Sequence, residues 1–359
     1  MYPNLISVHK TFYAIGQGGF FSEVLEYEKQ RIVIVYDCGS VESGDRIKEE
    51  IKRFPYETID FLVISHLDRD HYNEINELKK NRTVKHIILP KINPIDRLLL
   101  FCNKNKEDVK AFFNLVNEDG IIYINNDLSE ENGRVISLNE EERLSDNINH
   151  KNSIAVISSL YEEKIPLWIL KFYVDLDQYR GDSGDNILTE DEEAIINSVT
   201  SVDDLTKEKI KELKSIYKKL PDKINGSSLA MISAPNAEYY RFYYHDVYYN
   251  REKNYATWMN GDIVLKDIAQ VNAIVEHFKE FHYFNFDYQL QHHGSRKNFY
   301  RVITEFGKME IYVYYGYNNS HGHPNGTVIR KIADANVKIH DLTEFDKNIN
   351  RDFIWRIYD

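Results

Sequence analysis

Four side chains with metal-binding chemistry stand within six positions of one another: His66, Asp68, Asp70 and His71, in the stretch Ile64-Ser65-His66-Leu67-Asp68-Arg69-Asp70-His71-Tyr72. Imidazole nitrogen and carboxylate oxygen are the donors that zinc and manganese take from proteins. The residues just before them, Ile59, Phe61, Leu62 and Val63, form an apolar run that reads as a buried strand. The ligand-type side chains therefore begin where a strand ends. In a strand-to-helix turn successive side chains fan around one point, so the four could converge on metal. A polar loop facing water is the plainer reading of Asp and His in a turn. Agreement of spacing, residue type and strand context favours a ligand cassette.

The cassette resembles the metallo-β-lactamase signature His-x-His-x-Asp-His, with Asp68 standing where most members have His. The form His-x-Asp-x-Asp-His is similar to the branch that contains the hydrolase domain of the DNA-uptake protein ComEC and phosphorylcholine esterase. The resemblance implies an α/β fold of the αββα sandwich type, two mixed β-sheets flanked by helices. It also implies two divalent metal ions, Zn2+ or Mn2+. The extra carboxylate makes the site harder and more anionic, which brings Mn2+ in as a rival to Zn2+.

The elements that must position these residues can be read in part. Val8 to Ile15, Phe20 to Tyr27 and Arg31 to Asp37 read as strands, and Arg46 to Arg53 as a helix leading to the strand Tyr56 to Ser65, a βαβ unit. Tyr72 to Lys80 reads as the helix beyond the cassette, Val84 to Leu89 as a strand, and Ile95 to Val116 as a helical stretch. Gly16-Gln17-Gly18-Gly19 is a tight turn that fits no phosphate-loop pattern. It resembles the family's Val-Gly-Gln-Gly-Asp, with Gly19 replacing Asp. Asp37, at the end of an apolar strand and before Cys38-Gly39, is either a turn cap or a group that orients ligating histidines; the resemblance favours the second.

Further along, Tyr255 to Met259 reads as a strand ending at Asn260-Gly261-Asp262, and Phe286 to Gln291 as a strand running into His292-His293-Gly294-Ser295. The resemblance makes Asp262 a carboxylate bridging two ions and His293 a metal ligand alongside His66, Asp68, Asp70 and His71. Adjacent residues of a continuing strand point to opposite faces. His292 is then a substrate-side or supporting group. Arg296 and Lys297 follow directly and could hold phosphate oxygens. His323, in Gly322-His323-Pro324, matches a further family element. Asp70, His292 and His323 are the candidate catalytic residues. Asn225 to Met231 is preferred over Asn152 to Ile157 as the family's Asn-x-x-Ser strand, which makes Ser228 a substrate-binding candidate. The lone His that many members supply has no clear counterpart; His150 and His245 are the candidates.

At 359 residues, with 42% apolar and 13% aromatic content, the chain can bury a large core and is not a disordered one. A formal charge of −12 disfavours extended non-specific binding to duplex DNA. Two cysteines, Cys38 and Cys102, make no disulfide scaffold and suit a reducing cytosol. No stretch approaches 18 apolar residues, so a cytoplasmic protein with no membrane partner is expected. Residues 1–359 read as one domain, with 127–222 as a probable insertion whose acidic runs could meet a protein partner. Oligomeric state is not legible.

Two bridged ions would acidify water and polarise an electrophile, so the reaction class is hydrolysis. Metal ions with Arg296, Lys297 and His323 favour a phosphodiester, and the resemblance implies phosphodiesterase or nuclease activity. The 26 tyrosines offer stacking surfaces for bases, although filling an aromatic-rich core is the plainer reading. A scaffold that binds a partner without turnover, and a hydrolase of a non-phosphate ester or lactam, are the alternatives.

Overall fold

The computed structural model describes residues 4–42, 45–103, 106–116, 120–124, 153–158, 166–174, 187–220, 228–236, 255–303 and 305–357. His150, His245, Asn152, Asn225 and the tyrosines between 239 and 249 lie outside them. The chain begins with β1 (Asn4–Phe12), β2 (Gly18–Tyr27) and β3 (Gln30–Ser40), each antiparallel to the one before. Helix α1 (Arg46–Arg53) then crosses to β4 (Thr58–Val63), parallel to β3. Helices α2 (Arg69–Tyr72) and α3 (Ile75–Lys79) lead to β5 (Thr83–Pro90), and α4 (Pro94–Asn103) and α5 (Lys106–Val116) to β6 (Ile121–Ile124), both strands parallel to their neighbours.

The second half runs through β7 (Ser153–Ser158), β8 (Pro166–Val174), α6 (Glu190–Asn197), α7 (Lys207–Tyr217), β9 (Leu229–Pro235) and β10 (Tyr255–Met259). It closes with α8 (Ile268–His277), β11 (Asn285–Gln289), β12 (Met309–Tyr314), α9 (Gly326–Asp334), β13 (Lys338–Leu342) and β14 (Ile349–Ile357). Two seven-stranded mixed sheets result, in the orders β14-β1-β2-β3-β4-β5-β6 and β13-β12-β11-β10-β9-β8-β7. In each, four parallel strands continue into three antiparallel ones. This is the αββα sandwich expected from the resemblance.

Three local readings need correction. The strand before Asp37 does not end there: β3 runs on to Ser40, because Phe20 pairs with Cys38 and Phe21 with Tyr36, leaving Asp37 as the extra residue of a bulge with φ 57°. The helix expected over 72–80 is two short helices. The Asn73 side chain between them donates to Ser40 O (2.8 Å) and accepts Ser40 N–H (3.0 Å), pinning the break onto the end of β3. The stretch 95–116 is likewise two helices, α4 and α5.

The apolar run of β4 is buried from Ile59 onward, as a central parallel strand covered on both faces requires. The main core fills the space between the sheets; Phe12 of β1 and Tyr312 of β12 stack with ring centroids 3.8 Å apart across it. A polar network crosses the same space. Lys10 Nζ lies 2.9 Å from Asp287 Oδ2 and 3.9 Å from Glu23 Oε1, with no exposure at any of the three side chains. Glu23 accepts from Thr257 Oγ1 (2.6 Å) and from Ser233 Oγ of the other sheet. Burial pushes the Glu23 carboxyl up, against the pull of Lys10.

The stretch 127–222 contributes β7 and β8 at one sheet edge as well as α6 and α7. These two helices pack with α4 and α5 around a second apolar cluster containing Leu98, Phe101, Phe112, Ile196 and Leu213. Among the described residues, no helix is long and apolar enough to cross a membrane.

Candidate metal centre

The cassette follows β4, Asp262 follows β10 and His293 follows β11, each just beyond the carboxyl end of a parallel strand, where α/β folds present their ligands. Glycines let the pieces approach. A Cβ on Gly39 would sit 2.6 Å from Asp70 C, and one on Gly19 would sit 2.7 Å from Asp37 Cβ. Gly19 thus makes room for the bulged Asp37.

Hydrogen bonding fixes the histidine tautomers. Asp37 is wholly buried; its Oδ1 accepts Ser65 N–H (2.7 Å), and its Oδ2 accepts both the Ser65 hydroxyl (2.9 Å) and His71 Nδ1–H (2.7 Å). A hydroxyl has one proton to give. With that proton on Asp37, Ser65 Oγ accepts from His66 Nδ1–H at 2.9 Å. His293 Nδ1–H donates to Tyr314 O at 2.9 Å. All three rings therefore carry their proton on Nδ1 and turn the Nε2 lone pair inward. Nothing in the sequence pattern marks Ser65 for this role except its position beside His66.

Those lone pairs meet carboxylate oxygens. His66 Nε2 lies 3.5 Å from Asp262 Oδ2, and His71 Nε2 lies 3.5 Å from Asp262 Oδ1 and 3.7 Å from Asp70 Oδ2. His293 Nε2 lies 3.1 Å from Asp70 Oδ2 and 3.9 Å from Asp262 Oδ1. Two groups emerge, His66–His71–Asp262 and Asp70–His71–His293, the donor atoms of each lying within 4.8 Å of one another. Donors that share one ion at about 2.1 Å each lie no more than about 4.2 Å apart, and the histidine–carboxylate distances of 3.1 to 3.9 Å fall inside that limit. His66 Nε2, His71 Nε2 and Asp262 Oδ1 are buried with no hydrogen-bond partner among the described residues. Buried acceptors facing one another are costly unless a cation lies between them. The donor set fits one or two divalent ions.

The electrostatics agree. Burial and His71 press His66 down, but Asp262 and Asp68 outweigh them and hold it up at about 9. Burial would raise Asp70, yet His71 and His293 bring it to about 2; burial would raise Asp262 too, and His292, His66 and His71 hold it well below the carboxylate range. The carboxylates draw positive charge into the cluster, as protons or as metal.

The remaining sequence candidates fall around this cluster. Asp68 Oδ2 is 3.7 Å from His66 Nε2, on a side chain about half exposed (52%). The strand carrying the histidine pair ends at Gln289, and His292 and His293 take φ 46° and 51°, so the alternation of a continuing strand does not apply to them. Both face the carboxylates: His292 Nδ1 lies 3.2 Å from Asp262 Oδ2. Gly294 has φ 76°, and a Cβ there would meet Pro324 at 2.7 Å, so the turn lets the 323–324 segment close in. His323 is thereby 5.8 Å from His292 between ring centroids, and burial with the neighbouring His293 lowers its pKa to about 4. Arg296 and Lys297 are exposed just beyond. Ser228, expected at the substrate, is buried instead; its hydroxyl donates to Asn260 O (3.4 Å) and accepts Asp262 N–H (3.0 Å), holding the loop that carries the shared carboxylate.

Asp37→Asn is expected to weaken metal affinity about 10- to 100-fold, since an amide NH2 facing His71 Nδ1–H forces the ring into the wrong tautomer. Competition with a chromophoric chelator measures this, and unchanged affinity would remove Asp37 from the argument.

No protein-family model matches the chain, and no curated protein matches it. A solved structure of a CmlA beta-hydroxylase mutant is similar at TM-score 0.42 and 9% identity, over 96% of this chain and 53% of that one. This chain therefore spans about half the length of that structure. What the geometry itself supports is a buried His/Asp centre for one or two divalent ions, consistent with a metal-dependent hydrolase.

Proposed function

We propose that the chain is a metal-dependent phosphodiesterase or nuclease of the ComEC-like kind, acting through two divalent ions, Zn2+ or Mn2+. The observation that carries the reading is the set of three imidazoles, locked by their Nδ1 protons, whose Nε2 atoms converge with Asp70 and Asp262. Ions bound there supply Lewis-acid polarisation of the phosphoryl group and acidify water.

The chain's own residues do the rest. Asp262 presents one oxygen to each side of the site, Oδ1 towards His71 and Oδ2 towards His66, and suits a shared ligand. Tyr314 O accepts the Nδ1 proton of His293 and so aims its Nε2 at Asp70 Oδ2, 3.1 Å away, as two donors to one ion would lie. His323 is neutral at pH 7 and has a buried Nδ1 without a partner among the described residues, so it can exchange a proton with an ester oxygen. Arg296 and Lys297, exposed next to the histidine turn, favour an anionic ester over a lactam or thioester.

Metal-dependent release of nitrophenol from bis(4-nitrophenyl) phosphate is the test, with loss of turnover in Asp70→Ala and His293→Ala. Folded, metal-filled protein that cleaves neither this ester nor any oligonucleotide would favour a binding protein instead.

A further inference from the structure

A second concentration of positive charge lies away from the metal centre. Lys91 directly follows Pro90, the last residue of β5, and its backbone N–H donates to Ile124 O at the end of β6 (2.8 Å). The carboxyl ends of these parallel strands continue the edge on which the cassette follows β4. Leu67 of the cassette and Ile92 each pack against both apolar clusters, so the helical layer meets the first sheet here. At that junction opens a cleft of about 360 Å³, lined among others by Lys91, Arg97, Phe112, Phe113, Tyr123 and Thr200.

In a chain of net charge −12, two cations with no carboxylate partner among the described residues need an explanation. Lys91 is exposed. Arg97 is held in place: its NH2 donates to Val199 O, its guanidinium lies 5.7 Å from the Phe101 ring centroid, and its Nε is buried without a hydrogen-bond partner among the described residues. A fixed guanidinium with an unspent donor suits an oxyanion. The Thr200 hydroxyl proton is already given to Asp204 Oδ2 (2.9 Å), so anion recognition falls to the two cations. Tyr123 supplies the accessible aromatic face, 38% exposed, while Phe112 and Phe113 are buried beside it.

We propose that this cleft is a second ligand site, separate from the metal centre, that takes a phosphate bearing a planar ring, a mononucleotide being the simplest such ligand. Lys91 and Arg97 hold the phosphate, and Tyr123 stacks on the ring. The size is that of a small-molecule site.

Calorimetric titration of the EDTA-treated full chain with adenosine 5′-monophosphate tests this independently of any hydrolytic activity. Binding is expected without metal and unchanged in Asp70→Ala, with adenosine alone and inorganic phosphate alone each weaker than the nucleotide. Lys91→Glu, at an exposed position that leaves the fold alone, should weaken binding about tenfold or more, and Tyr123→Ala should also weaken it. Nucleotide binding that vanishes with the metal, or that neither variant alters, would overturn the proposal whatever the metal centre does.

Discussion

Asp262→Ala is expected to abolish measurable phosphodiester hydrolysis and to reduce the metal bound per chain, while the protein stays folded. One carboxylate presents Oδ1 to His71 and Oδ2 to His66, each at 3.5 Å, so its removal takes a donor from both sides of the centre at once. Metal ions contribute several kcal/mol to charge stabilisation in a transition state, and each 1.4 kcal/mol is a factor of ten, so a loss on the order of 10³-fold or more follows. The side chain lies on a loop held by Ser228 Oγ through the backbone of Asp262, and that bond survives the truncation. Metal content by mass spectrometry and kcat on bis(4-nitrophenyl) phosphate are the readouts. Full metal content with ordinary turnover would refute the shared-carboxylate role.

Lys10→Met should be the most destabilising single change outside the metal centre. Lys10 is wholly buried between two carboxylates of the same burial, one on its own sheet and one on the other. Breaking a buried pair by removing one partner costs about 3 to 5 kcal/mol, because the remaining charge has neither water nor counter-ion. Asp287 keeps Arg351 at 3.5 Å and Tyr312 OH at 3.2 Å, so Glu23 is left more exposed to the loss. Adding Glu23→Gln should recover part of the stability. Urea unfolding measures both, and a cost below about 1 kcal/mol for Lys10→Met would show that the network contributes little.

Contiguous chemistry was the legible part of this sequence. The apolar run of β4 and the side chains that follow it gave the cassette, while Asp262, after an apolar strand, stood out only through the resemblance of Gly261-Asp262 to a known motif. Non-local geometry was not legible. Nothing local says that Asp37 is the extra residue of a bulge, since the bulge exists only relative to Phe20 and Phe21 on β2. Lys10 shares the apolar face of β1 with Ile6, Val8 and Phe12, but nothing local names the carboxylates on β2 and β11 that pair with it. The left-handed pair His292-His293 defeats the alternation rule because the strand stops two residues earlier than its apolar pattern suggests. The Lys91–Arg97 cleft is assembled from the turn after β5, α4, α5, β6 and the turn after α6, five segments that share no local signal.

The pairing of β14 with β1, continuous from Asn4 opposite Ile357 to Phe12 opposite Ile349, governs how this molecule can be made. During synthesis the outer edge of β1 has to wait, hydrogen-bonding groups bare, while the more than 300 residues between the two strands leave the ribosome. An unpaired strand edge of that length is open to association with other chains. Ribosome-bound intermediates should therefore depend on chaperones until residues 349–357 emerge, and a last-strand truncation should fail by aggregation before it fails by losing activity.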